Sequence, residues 1–139
     1  MSNNPKVIYI AQTDTIGGCE NGVARSSDGI LDIRFSAPGS TGIGTNPEQL
    51  LAAGWSASLA SSIATIAMLR GIILPGEVKI HAELSLTFDP EDFAVTARLN
   101  VALPGIERTA GDALLKEAIQ ICPISRVMRL DCDVRLELA

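Results

Sequence analysis

The 139-residue chain is short of aromatic rings, histidine and clustered positive charge. Phe, Trp and Tyr make up 4% of it, with one Trp, and there is a single His. A core must therefore be drawn from aliphatic side chains within the 47% of hydrophobic residues. Eleven Lys and Arg stand against sixteen Asp and Glu, for a net charge of −5 and a pI near 4.7. No basic run occurs and no aromatics are interleaved with Lys or Arg, which disfavours nucleic acid or an anionic membrane as partner. Three cysteines, an odd number, do not make the disulfide framework of a small secreted domain. The first residues lack the apolar core of a signal peptide. These absences predict a cytoplasmic protein. With His81 alone and no C-x-x-C or H-x-x-x-H spacing, no metal is expected. The Gly39–Gly44 loop lacks the G-K-[ST] ending of a phosphate loop, so no nucleotide cofactor is expected either.

The length suits one domain, 1–139, with its own core. A mean hydropathy of +0.28 points to apolar surface covered in an oligomer. Gln49–Leu69 is uncharged over 21 residues, long enough to span a bilayer. Its Ser56, Ser58, Ser61, Ser62 and Thr65, set within soluble-type patterning, favour a buried helix instead.

Along the chain, residues 6–14 read as a first strand and Thr15–Gly22 as a Gly-rich turn. Residues 22–27 and 30–36 read as a hairpin around Asp28-Gly29. After the Pro38–Gly44 loop, Asn46 is placed as an N-cap, Pro47 as the first helical residue and Gln49 as its capping-box partner. That helix runs to about Arg70, with Leu51, Trp55, Ser58, Ser62, Ile66 and Leu69 as its inward stripe. Residues 78–88 and 93–101 alternate as an antiparallel hairpin with one wet face, turning at Asp89–Asp92. Thr109 is placed as the cap of a second helix, with Asp112 completing the box and Leu115, Ala118 and Cys122 facing inward. A short helical turn follows over Pro123–Met128, then a last strand with Cys132, Val134, Leu136 and Leu138 on one side. The order βββ-α-ββ-α-β predicts an α+β domain with a largely antiparallel sheet.

Few residues stand out chemically. Ser58 lies inside a helix rather than on a strand-to-helix elbow, which argues against a serine hydrolase. Cys122 has two readings: a small buried apolar residue, or a thiolate favoured at the start of the turn beginning at Pro123. Cys132 patterns as a core residue, His81 as a surface residue, and Cys19 as a thiol in a Gly-rich turn. Glu48, in the first turn of the long helix, complements the helix dipole.

Asn46-Pro47-Glu48-Gln49-Leu50-Leu51-Ala52-Ala53-Gly54-Trp55-Ser56-Ala57 resembles the start of the central helix of the organic hydroperoxide resistance proteins. These are a branch of the OsmC (osmotically inducible protein C) family. Cys122-Pro123-Ile124-Ser125 resembles their second cysteine motif, and Ser26-Ser27-Asp28-Gly29 and Gly42-Ile43-Gly44-Thr45 fit as well. The resemblance implies an intertwined homodimer, each sheet wrapped around long central helices, with active sites at the interface. It also implies a peroxidase in which a helix-borne thiolate attacks an organic hydroperoxide. The sulfenic acid then condenses with a second Cys, and a dithiol such as a lipoylated protein reduces the disulfide. In that scheme an Arg lowers the first thiol's pKa and a Glu holds the Arg.

The sequence departs from that pattern at two positions. Ser58 stands where the peroxidatic Cys is expected, and Cys19 where the activating Arg is expected; Glu48 and Cys122, at the resolving position, are kept. A hydroxyl does not run the sulfenate cycle, so the resemblance implies an oxidative or osmotic stress-response protein with weak or absent peroxidase activity. An engineered trap would explain Ser58 but not Cys19; change at both positions points to a diverged paralogue. Three readings stay open. The fold persists as a dimer binding a lipid-like or other apolar small molecule in its interface pocket. Alternatively Cys19 has become the attacking thiol, with Cys122 resolving it and Arg25, Arg126 or Arg129 supplying the charge. In the third, the protein pairs with an active relative.

Overall fold

The computed structural model describes residues 4–129 and 134–139. Its elements are β1 (Thr13–Ile16), β2 (Val23–Ser26), β3 (Asp32–Arg34), α1 (Pro47–Leu69), β4 (Lys79–Asp89), β5 (Asp92–Ala102), α2 (Arg108–Ile121) and α3 (Pro123–Met128). This is an α+β chain whose strand pairs are antiparallel. It divides into two units, residues 1–50 and 51–139.

In the first unit, β1, β2 and β3 form a meander in that order. The expected hairpin is present, with Val23 opposite Arg34 and Arg25 opposite Asp32. Its turn is closed by Asp28, whose Oδ1 accepts from the Ser26 hydroxyl at 2.5 Å and the Ile30 N–H at 3.0 Å. The β1–β2 connection is tighter. Gly22 N–H donates to Gly18 O at 2.8 Å, and a Cβ on Gly22 would collide with that same oxygen. Only glycine fits there, and the turn so formed holds Cys19 out in solvent. Asn46 caps α1 as expected, its Oδ1 accepting from Gln49 N–H at 2.9 Å. The reciprocal half of the capping box is not made: Gln49 Oε1 accepts the Thr45 hydroxyl instead, at 2.8 Å.

In the second unit the core joins Leu59, Ile63, Ile66 and Ala67 of α1 to Leu114 and Ala118 of α2 and to Cys122. Ile63 is 0% exposed, and burying such a side chain contributes about 1.5–3 kcal/mol. Ser62 and Ile66 of the expected α1 stripe are buried, but the face is broader than that stripe and excludes its end. Leu69 is 70% exposed, whereas Leu59 and Ile63 are buried. In the same way Leu114, not Leu115, is the fully buried leucine of α2. α1 is apolar around much of its circumference and long and apolar enough, by length and composition, to cross a membrane; no periodic contrast marks its buried side. It stops in a Schellman turn: Ile72 N–H donates to Ala67 O and Gly71 N–H to Met68 O, with Gly71 at φ +67°. Arg70 then pairs two-pronged with Glu117, tying the end of α1 to α2. The pairing holds the Glu117 carboxyl below its ordinary range.

The N-cap of α2 is Glu107 rather than Thr109. Its carboxylate accepts the N–H groups of Thr109 and Ala110, two of the donors that a helix start leaves unpaired. Asp112 makes no box and lies 3.4 Å from Arg108, one turn back. β4 and β5 pair along their whole length from Lys79–Ala102 to Asp89–Asp92. Pro90 and Glu91 turn the chain while Asp89 Oδ1 accepts the N–H groups of Glu91 and Asp92. Only the near half of the hairpin's apolar face, including Ile80, Leu99 and Val101, packs on the core. At the far end Leu86, Val95, Phe88 and Phe93 are exposed, the two rings 4.8 Å apart, so that end has no dry face.

The expected outer strands are the main departure. β1 begins only at Thr13, and residues 4–12 carry no regular structure, with Ile8 91% exposed. Residues 134–139 are likewise irregular, with Leu136 93% exposed. Cys132, placed in the last strand and the core from the sequence, lies outside the described residues. Strand hydrogen bonds require a second edge; these segments alternate as strands do, but among the described residues neither enters a strand pairing, and Ser27 N–H donating to Gln12 O at 3.0 Å stops short of one.

Candidate active site

The site begins with a proline. Pro123 disfavours helical geometry in the residue before it, and Cys122 is accordingly extended at φ −64°, ψ 115°. Cys122 thus ends α2, its N–H donating to Ala118 O at 2.9 Å, and starts α3, its carbonyl accepting from Arg126 N–H at 3.1 Å. The side chain is 0% exposed.

Across from it, α1 supplies Ser58 and, one turn earlier, Trp55. Ser58 Oγ lies 3.5 Å from Cys122 Sγ. Trp55 Nε1–H donates to Ser125 Oγ at 2.8 Å, in the first turn of the helix that Cys122 begins. Burial pushes the Cys122 thiol up. The hydroxyls of Ser125 and Ser58, with the N–H groups of Ser125 and Ile124, outweigh that and leave it below the ordinary cysteine value. Neither N–H reaches the sulfur as a capping hydrogen bond, so the two hydroxyls dominate.

The structure thus brings together two of the four expected site residues, Ser58 and Cys122. Glu48 lies in the first turn of α1, where its Oε2 is buried with no hydrogen-bond partner among the described residues. Cys19 is exposed on its turn. His81 is also exposed, 3.3 Å from Glu83 Oε1. Sequence reasoning missed the roles of Trp55 and Ser125. A signal was available: Pro123 sets Ser125 in the first turn of α3, and Trp55 precedes Ser58 by three residues, so both sit beside the Ser58–Cys122 contact.

Beside this cluster is an apolar groove of about 480 Å³. Trp55 and Ser125 form part of its wall, together with Leu59, Leu99 and Ile119, and Arg129 is the charged residue on its lining. The arrangement offers a covered sulfur, the Ser58 hydroxyl in contact with it and an adjoining space suited to an apolar molecule.

Residues 39–137 match the model of the OsmC-like protein family. The organic hydroperoxide resistance protein of Xanthomonas axonopodis pv. citri is 38% identical over 143 residues, covering all of both chains. The crystal structure of the organic hydroperoxide resistance protein OhrB of Bacillus subtilis superposes with a TM-score of 0.81 at 31% identity, covering 96% of this chain and 100% of that one. A Vibrio cholerae structure with captopril bound in one of its active sites gives 0.81 at 28% identity, covering 93% and 90%. The chain belongs to the OsmC family. Within it, relatives that it resembles over full length include organic hydroperoxide resistance proteins.

Proposed function

We propose that this protein is a stress-response member of the organic hydroperoxide resistance type whose conventional thiol peroxidase activity is weak or absent. The observation that carries this reading is the Ser58–Cys122 contact at 3.5 Å. The spacing suits a pair of residues that act together, but one partner is a hydroxyl, which forms neither a sulfenic acid nor a disulfide. Cys19 stands where the resemblance assigns the activating Arg, and the Glu48 oxygen that is buried without a partner among the described residues agrees with a missing cation.

The full-length coverage of relatives supports one domain over 1–139. The exposed apolar segments 4–12 and 134–139 and the bare end of the β4–β5 hairpin support a homodimer. An acidic chain with an odd number of cysteines fits the cytoplasm, where a lipoylated protein would serve as reductant. The groove favours a second reading, a non-catalytic dimer that binds a lipid-like or other small molecule; the captopril held by the Vibrio cholerae relative supports small-molecule access.

The test is turnover of cumene hydroperoxide with dihydrolipoamide by the wild type, Cys19→Ser, Cys122→Ser and a Ser58→Cys, Cys19→Arg double variant. Weak or no wild-type turnover with strong turnover in the double variant is expected. Robust wild-type turnover would overturn the reading, and its loss in Cys19→Ser would make Cys19 the attacking thiol.

A further inference from the structure

We propose that the groove beside Trp55 binds an apolar carboxylate, with the body of the molecule on the aliphatic wall and its carboxylate on Arg129. The inference rests on the ligand-binding reading above and names the class of molecule that the groove takes.

The wall sets the body of the ligand. Leu59 of α1, Leu84 and Leu99 of the hairpin, Leu115 and Ile119 of α2 and Met128 of α3 line the space. Its volume of about 480 Å³ falls in the usual range of small-molecule sites, about 300–1,000 Å³. An indole has a single donor, and that of Trp55 is spent on Ser125 Oγ at 2.8 Å. Ser125 itself is 4% exposed. A molecule in the groove therefore meets hydrocarbon, with one exception.

The exception is Arg129, the C-cap of α3 and the charged residue of the lining. Its guanidinium offers five N–H donors. Nη2 donates to Ile119 O at 3.5 Å, the long limit of a hydrogen bond. Ile119 also lines the groove, so this contact keeps the cationic head against the wall. No acidic residue lines the groove, and no carboxylate among the described residues forms an ion pair with Arg129. The planar fork of a guanidinium matches a carboxylate through two parallel hydrogen bonds. One guanidinium also balances one negative charge. A phosphate ester would bring about −1.5 to −2, and the lining has no second cation. Arg129 is exposed, so the carboxylate stays paired and partly hydrated at the mouth while the apolar body leaves water. No charge is buried alone.

Decanoate and 1-decanol share a tail and differ in the head. Each is titrated, below the concentration at which it self-associates, into the full-length protein at neutral pH. Binding is read by calorimetry and by fluorescence of Trp55, the one Trp of the chain. Decanoate should bind about tenfold more tightly than 1-decanol, as a hydrogen bond to a charged group provides. Arg129→Gln should abolish that preference and leave 1-decanol binding as it was, whereas Arg108→Gln, off the groove, should leave the preference intact. Ala97→Phe, which fills the groove, should weaken both probes. Equal affinity for the two probes, or a preference that survives in Arg129→Gln, would overturn the inference and leave the ligand-binding reading in place. Binding of neither probe, or binding untouched by Ala97→Phe, would overturn both. Trp55 shielded from acrylamide in the unliganded protein would then place a second copy over the groove.

Discussion

Ser58 Oγ and Cys122 Sγ, 64 positions apart in sequence, lie 3.5 Å from one another. A disulfide needs its sulfurs at about 2.0 Å, so a thiol at position 58 has only a short approach to make. Ser58→Cys is therefore expected to form a bond to Cys122 on mild oxidation, with loss of both thiols in a thiol titration and no loss of helical circular dichroism. Persistence of all four free thiols, the three native ones and the new one, would show that the α1 and α2–α3 backbones hold these side chains apart.

The hydrogen bonds on the Cys122 sulfur give stability a sign with pH. A thiol whose folded pKa is depressed favours the native state as it ionises. That contribution is complete above the ordinary cysteine pKa of the unfolded chain and fades as pH falls through the folded one. The wild type should thus gain stability on passing upward through that window, and Ser125→Ala should gain less. Denaturant midpoints measured across the window, with Cys122→Ala as the reference, check this.

Glu48 carries a buried carboxylate oxygen with no hydrogen-bond partner among the described residues. Supplying a cation at position 19, where the family resemblance assigns one, should convert that defect into an ion pair. Cys19→Arg is expected to raise stability by about 1–3 kcal/mol, the usual cost of an unsatisfied buried polar group, measurable by urea denaturation. An unchanged or lowered midpoint would mean that the Gly17–Gly22 turn does not deliver side chain 19 to the carboxylate.

The proposed homodimer predicts a sedimentation mass twice that of the chain. A charge on the bare end of the hairpin, as in Phe88→Asp, should shift the equilibrium toward monomer if that end is covered by a second copy. It should leave the mass unchanged if the contact lies elsewhere, on residues 4–12 and 134–139.

What the sequence made legible follows physical range. Local chemistry read correctly: the Asp28-Gly29 hairpin, the Asn46 cap, the end of the long helix near Arg70, the hairpin turning at Asp89–Asp92 and the helical turn after Pro123 each depend on residues a few positions apart. Glu107 was missed as a cap because Thr109 is the usual residue type, and two free N–H groups were satisfied by the carboxylate that reached them first. The inward face of α1 was read in part, Ser62 and Ile66 being buried as expected while Leu59 and Ile63 replace Leu69, since its alanines and leucines leave little contrast between sides. Strands at 6–14 and 132–138 carried the right alternation, but a strand is a relation between two edges, and no single chain's pattern reveals which edge will be supplied. At the site, motif spacing gave Ser58 and Cys122. The donor chain through Trp55 and Ser125 depends on which atom carries the proton, and spacing does not encode that.

The chain contains one Trp, and its indole N–H is spent on the hydroxyl of Ser125, in the first turn of the helix that Cys122 begins. The protein therefore carries its own optical probe at the site. Any event that rotates Ser125, whether oxidation of the sulfur, ionisation of the thiol or arrival of a molecule in the groove, alters the polarity felt by the only indole ring. Intrinsic fluorescence, usually an average over many rings, reports here on a single hydroxyl, and it can follow the chemistry of Cys122 in real time without any label.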